Sequence, residues 1–221
     1  AIAPFLAENH AVVTYDRRGR GASTDTAEYG LDREVDDAKA VLDAVGEEPV
    51  LFGHSFGGLV ALEVARGTGL GGLVLYEPAV LTDGHAESHD VVGRMQERVR
   101  DGDVREAVEL YFRDAGGMTE PGDEILDRGV SMVDTILREC RIVEGYRLDD
   151  GVDTDAGTLL LTGEDGPRHL RDAVFALDDL LDSRLVELED IGHAGPVSDP
   201  EKVAAVVNRF VEEEAPARVH G

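Results

Sequence analysis

A serine framed by glycines, Gly53-His54-Ser55-Phe56-Gly57-Gly58, is the stretch whose residue types and spacing suit covalent chemistry. The apolar run 50–52 leads into it and an apolar pattern with helical spacing follows, which reads as strand, sharp turn and helix with the serine at the apex. A nucleophile lifted clear of a strand sits in a strained backbone, tolerable where its flanks lack side chains. Gly53 and Gly57 stand two residues to either side of Ser55 and meet that need. The turn also leaves amides at a helix N-terminus, where negative charge is favoured, and places the N–H of Phe56 to receive a developing oxyanion. A serine hydroxyl is a weak nucleophile near neutral pH. It needs a base within hydrogen-bond reach, and the base needs a third group to orient it.

The elements that must position these groups alternate in type. Residues 3–8 read as the tail of a helix and 11–15 as an apolar strand, which ends in Asp16-Arg17-Arg18-Gly19-Arg20-Gly21. That loop either shapes the floor of a site at the strand's C-terminal end or braces the turn by pairing its arginines with carboxylates. Residues 31–45 put Val35, Ala38, Leu42 and Val45 on one face of an amphipathic helix, with Gly46 as its C-terminal cap. After the serine turn and its helix, 73–76 is a buried strand finishing at Glu77-Pro78. From 79 to 155 the pattern changes to helical spacing over 91–100, 104–113 and 130–143, with no convincing strand between. Strand 158–162, helix 168–181 with Leu170, Val174, Leu177 and Leu181 inward, and strand 185–188 resume the alternation. Ser198-Asp199-Pro200-Glu201 opens a last helix to about 213, followed by a frayed tail. The class is α/β, a mostly parallel sheet with flanking helices. Its core is 1–78 and 156–221, and 79–155 forms a helical lid that closes over substrate.

GHSFGG at 53–58, TYDRRGRGAS at 14–23 and the late Gly192-His193 together resemble the α/β-hydrolase superfamily, in particular small esterase-like members with a helical lid. The resemblance implies a catalytic order of Ser, acid, His along the chain. His193, set between Gly192 and Ala194 after the last strand, is accessible as a proton shuttle must be. Asp165, just past a strand end, matches the family's usual acid position; Glu164 beside it and Glu77, at a place from which some relatives supply the acid, are the alternatives. His54 is expected to pack beneath the turn. The implied reaction is cleavage of a small ester or related acyl substrate through an acyl-enzyme, and it calls for no metal or organic cofactor. His85 and His89 lie four apart near Glu87 and Asp90, but Asp83-Gly84 disfavours a helix there and no third ligand is apparent, so no metal is expected.

The family pattern also includes earlier strands and an HG-type loop that supplies a second oxyanion N–H, and neither appears ahead of 11–15. The sequence is therefore read as an N-terminally truncated copy of a longer protein, and the expected consequence is a gap beside the nucleophile strand, closed in a folded form by direct pairing of 11–15 with 50–52 or by a second copy at the exposed sheet edge. A catalytically weak or inactive hydrolase-like protein that binds a small ligand or a partner is the alternative function, because losing one oxyanion donor costs about 3–4 kcal/mol of transition-state stabilisation.

In 221 residues, 47 acidic against 21 basic side chains give a formal charge of -26, which opposes nucleic acid and anionic membranes as partners. Lys39 and Lys202 are the only lysines. Such an acidic, lysine-poor composition suits a high-salt cytoplasm, where screening relieves self-repulsion, so a halophilic source is a hypothesis. Cys140 is the single cysteine, which rules out an intramolecular disulfide and is compatible with a reducing compartment. No apolar run approaches a membrane span, and the chain reads as soluble and cytoplasmic.

Overall fold

The computed structural model describes residues 1–46, 48–86, 88–148, 152 and 154–217. Glu87 and residues 218–221 of the expected tail lie outside them. The chain starts with α1 (Ala3–Leu6), and α2 (Leu31–Val45) follows, ending at Gly46 with φ 119°. Then come β1 (Val50–His54), α3 (Phe56–Ala65) and β2 (Gly72–Tyr76). A helical excursion holds α4 (Asp83–Ala86), α5 (Val91–Asp101), α6 (Val104–Asp114), α7 (Asp123–Ser131) and α8 (Val133–Gly145). The chain closes through β3 (Thr158–Gly163), α9 (Arg168–Leu180), β4 (Ser183–Leu188), α10 (Gly195–Ser198) and α11 (Pro200–Ala217). Pro200 is the first residue of α11, where a missing N–H costs nothing.

The four strands pair in parallel in the order β1-β2-β3-β4. Every residue of β2 and β3 is buried, as expected for strands covered on both faces. Alternation divides them between two cores. Leu73, Leu75 and Leu160 face α3 and α9, together with Leu59, Leu62, Val174 and Leu177. Val74, Tyr76, Leu159 and Leu161 face α1 and α11, together with Leu6, Val203, Val207 and Phe210. Helix α3 is apolar nearly all round because eight of its ten residues are buried. A third cluster, built on Val91, Met95, Ala107, Leu110 and Ile136, joins α5, α6 and α8 in the excursion.

Three expectations need correction. Residues 11–17 form no strand and do not pair with β1; a strand exists only through ladder hydrogen bonds, and none reaches this segment among the described residues. Residues 130–143 are not one helix, since the chain breaks at Met132 between α7 and α8. Asp83-Gly84 does open a short helix, α4. On α2, Ala38 is buried and Val35 and Leu42 pack against the core as expected, whereas Val45 is exposed and Glu34 is fully buried. Glu34 goes inside because two donors meet it: the Arg17 guanidinium (2.9 Å) and the Tyr29 hydroxyl (2.7 Å).

Candidate active site

Ser55 sits at φ 56°, ψ −125°, a conformation that L-residues rarely adopt and that stores about 1–3 kcal/mol of strain. The surrounding backbone fixes it. Its N–H donates to the Tyr76 carbonyl (3.1 Å), and its carbonyl accepts from the amides of Gly58 (2.8 Å), Leu59 (3.1 Å) and Ala79 (2.9 Å). A Cβ on Gly53 would lie 2.5 Å from the Gly57 carbonyl oxygen and 2.7 Å from the Ala61 Cβ, and one on Gly58 would lie 2.8 Å from the Pro78 Cα. Gly57, in contrast, borders open space, so the tight positions are 53 and 58 rather than the expected 53 and 57. Phe56 is the first residue of α3, and its amide has no intrahelical acceptor.

His193 lies in the loop after β4, and its Nδ1 is 2.8 Å from Oε2 of Glu77. Glu77 directly follows β2, has φ 40° and is completely buried. Its second oxygen accepts from the Thr162 hydroxyl and the Gly163 amide, both at 2.9 Å. A carboxylate can only accept, so Nδ1 carries the imidazole proton and Nε2 is left with a free lone pair. Three donors on one buried carboxylate offset the loss of its hydration. Gly166 makes room for it: a Cβ there would fall 2.1 Å from Glu77 Oε1.

The structure therefore pairs His193 with Glu77 and not with Asp165. The side chains of Asp165 and Glu164 are exposed, and their backbone amides brace the same region by donating to Ile191 and Leu188 carbonyls at 2.9 Å. The cause is the bend at Glu77, which turns its side chain under the β3–α9 loop while that loop directs residues 164 and 165 to solvent. His54 also differs from expectation. Its Nε2–H donates to the His193 carbonyl (2.8 Å), and its ring lies 4.6 Å from the His193 ring and 5.6 Å from that of Tyr76. Burial, reinforced by the neighbouring His193, lowers its pKa to about 3, so it is neutral. Tyr76 donates its hydroxyl to the Gly192 carbonyl at 2.7 Å, and burial followed by the charge of Glu77 raises its pKa. Sequence reasoning missed Thr162 and Tyr76; the only local signal was a polar group at the end of an otherwise apolar strand.

Ser55, Phe56 and His193 line one cavity of about 430 Å³. Its walls are chiefly apolar, with Leu81, Phe112, Met118, Ile125 and Val143 contributed by the excursion. Cys140 also lines it; burial pushes this thiol up to about 12, so it stays protonated. At one end stand Arg17 and Arg20, both held by Glu139 of α8 at 2.8 and 2.5 Å, while Arg18 pairs with Asp37 at 2.7 Å. The arginine loop thus does both things expected of it, bordering the cavity and bracing itself on carboxylates. Elsewhere on the wall stand His89 and His169, with rings 5.1 Å apart; burial, then the nearby histidines, lowers the pKa of His169 to about 4. His85 instead bonds Asp172 at 2.8 Å. Among the described residues, no three His, Cys, Asp or Glu side chains are arranged to hold a metal ion, and no helix is long and apolar enough to cross a membrane.

A parallel sheet that carries a strained serine on one strand end and a buried carboxylate on the next, with a histidine from a later loop bonded to that carboxylate and lining the serine's cavity, can be compared with known proteins. Residues 1–206 match the sequence model of the alpha/beta hydrolase family, and the chain belongs to that family. It is 30% identical over 214 residues to lipase LipV of Mycobacterium tuberculosis, covering 87% of this chain and 80% of that protein. It also resembles the crystal structure of an alpha/beta hydrolase from Sphaerobacter thermophilus, at 27% identity and TM-score 0.69, over 89% of this chain and 80% of that one. A thermophilic esterase from Thermogutta terrifontis shares the fold, with TM-score 0.66 at 23% identity over 90% of this chain and 78% of the other.

Proposed function

We propose that the chain is a serine hydrolase that cleaves a small ester or related acyl substrate through an acyl-enzyme. The observation that carries this reading is the shared cavity of Ser55 and His193, with the far nitrogen of His193 fixed by buried Glu77. In this mechanism Ser55 Oγ attacks the carbonyl carbon as His193 Nε2 takes its proton, and the Phe56 N–H stabilises the oxyanion. His193 then protonates the leaving alcohol, and a water activated by the same imidazole releases the acid. Glu77 orients the imidazole and faces the imidazolium as it forms. The apolar wall supplied by residues 79–155 favours an aliphatic or aromatic acyl group and gives that segment the role of a lid. The names of LipV and the T. terrifontis esterase support the ester class.

A fluorophosphonate probe tests the proposal. Ser55 in the native protein should be labelled, and Ser55→Ala should abolish both labelling and hydrolysis of p-nitrophenyl acetate. A second reading, a protein that binds ligand without turning it over, draws on the outer edge of β1 beside the nucleophile, which pairs with no strand among the described residues. Absence of labelling in the folded protein would favour it.

A further inference from the structure

The nucleophile and the carboxylate are each preceded by a residue that the reaction scheme leaves idle. His54 and Tyr76 are direct ladder partners across β1 and β2. In a parallel sheet this places their side chains side by side at the strand ends. Both donate to the histidine loop, and to consecutive carbonyls: Tyr76 to Gly192 and His54 to His193. From the geometry we infer that His54 and Tyr76 form a two-donor clamp on the main chain at 192–193, and that this clamp positions His193 for proton transfer with Ser55. The inference rests on the serine-hydrolase reading and adds two positioning residues to it.

The physical need is specific. Glu77 fixes one ring nitrogen of His193, which sets the tautomer but leaves the ring free to swing with its backbone. Residues 192–194 lie in a loop ahead of α10 rather than in a strand, so no ladder holds them among the described residues. The clamp replaces that ladder with two side-chain donors anchored in the sheet. Close packing supports it, since a Cβ on Gly195 would lie 2.3 Å from the Tyr76 hydroxyl oxygen. The neutrality of His54 also matters. His193 becomes cationic during turnover with its ring 4.6 Å away, and a charged neighbour would oppose that step. The neutral ring donates its one N–H to the carbonyl and adds no repulsion.

The test compares His54→Phe, which keeps a ring and loses the donor, with His54→Gln, whose amide N–H can replace Nε2–H, and with Tyr76→Phe, which removes a single oxygen. Turnover of p-nitrophenyl acetate and the rate of fluorophosphonate inactivation are the readouts. For His54→Phe, kcat and the inactivation rate should fall about 10- to 100-fold, the scale of a small misplacement of a catalytic group, with KM within about twofold. His54→Gln should recover most of the loss, and Tyr76→Phe should fall between the two. Should His54→Phe fail to fold, Tyr76→Phe still decides, because its kcat must drop at unchanged KM. Wild-type kcat in both Phe variants, a Gln variant no better than the Phe variant, or a loss confined to KM would overturn the clamp while leaving the hydrolase reading in place. An unreactive wild-type protein would overturn both.

Discussion

On one side of Ser55, β2 and β3 are buried along their full lengths and deliver Glu77 and Thr162 from paired strands. On the other side, β1 is an edge strand of intermediate burial, and Val12, Val13 and Tyr15 are exposed in a segment that joins no ladder among the described residues. The two flanks are held by different physics. The first is ordered by hydrogen-bonded strands and apolar packing on both faces. The second is tied down by side chains: Arg17 to Glu34 and Glu139, Arg18 to Asp37, and Arg20 to Glu139. A backbone ladder fixes many atoms at once, whereas a few ion pairs hold a segment only while every partner is present. Chemistry that depends on position should therefore fail sharply when the first flank is altered, and folding should suffer when the second is.

The largest expected effect is on the ordered flank. Glu77→Gln keeps the shape and removes the charge, and turnover should fall by about four orders of magnitude, whereas Asp165→Asn and Glu164→Gln should leave it within about twofold. Steady-state hydrolysis of p-nitrophenyl acetate separates them, and a large loss in Asp165→Asn would reverse the assignment. On the second flank, Glu139→Gln strips the shared partner from two largely buried arginines. Breaking such a pair costs about 3–5 kcal/mol, so thermal unfolding should come roughly 6–20 °C earlier. An unchanged midpoint would mean that packing alone holds the arginine loop.

A smaller effect lies in the acid limb of stability. His54 and His169 are partly buried and neutral, with pKa values lowered from the ordinary 6.5 to about 3 and about 4. The unfolded chain binds these protons first, so the stabilisation is complete above pH 6.5 and is lost as pH falls toward 4 and below. Each histidine contributes a slope of up to about 1.4 kcal/mol per pH unit in its window. His169→Gln should flatten the fall in midpoint between pH 6.5 and 4, read by denaturant unfolding; an equal slope in both proteins would contradict the burial. The smallest change is expected from salt. With a formal charge of -26, stability should rise modestly from low to molar salt as self-repulsion is screened, and equal midpoints would argue against a halophilic adaptation.

Ser55 and His193, which line one cavity, are each marked by local punctuation, because a glycine-framed turn between strand and helix and a glycine-flanked histidine after a strand are short-range features. The boundaries of α2 were equally legible from its apolar spacing and Gly46. The acid was not. Glu77, Glu164 and Asp165 all stand just past strand ends, and which of them is buried depends on the bend at 77, the hydroxyl of Thr162 and the missing side chain of Gly166, groups up to 89 residues away in sequence. The burial of Glu34 was hidden for the same reason, since its donors Arg17 and Tyr29 come from a loop with no periodic signal. The apolar run 11–15 misled because composition records a strand's preference and not whether a neighbour is there to bond it.

Ser55 and Glu77 are each the next residue beyond the matched pair His54 and Tyr76, so the span between the proposed nucleophile and the proposed acid is counted out in peptide units along two adjacent strands. A deletion of one residue within 72–76 that the core absorbs by sliding β2 would turn Glu77 to the opposite face of the sheet. Under the proposed mechanism such a protein would keep its architecture and lose its reaction, which would make the alignment of two five-residue strands as much a part of the catalyst as any side chain it carries.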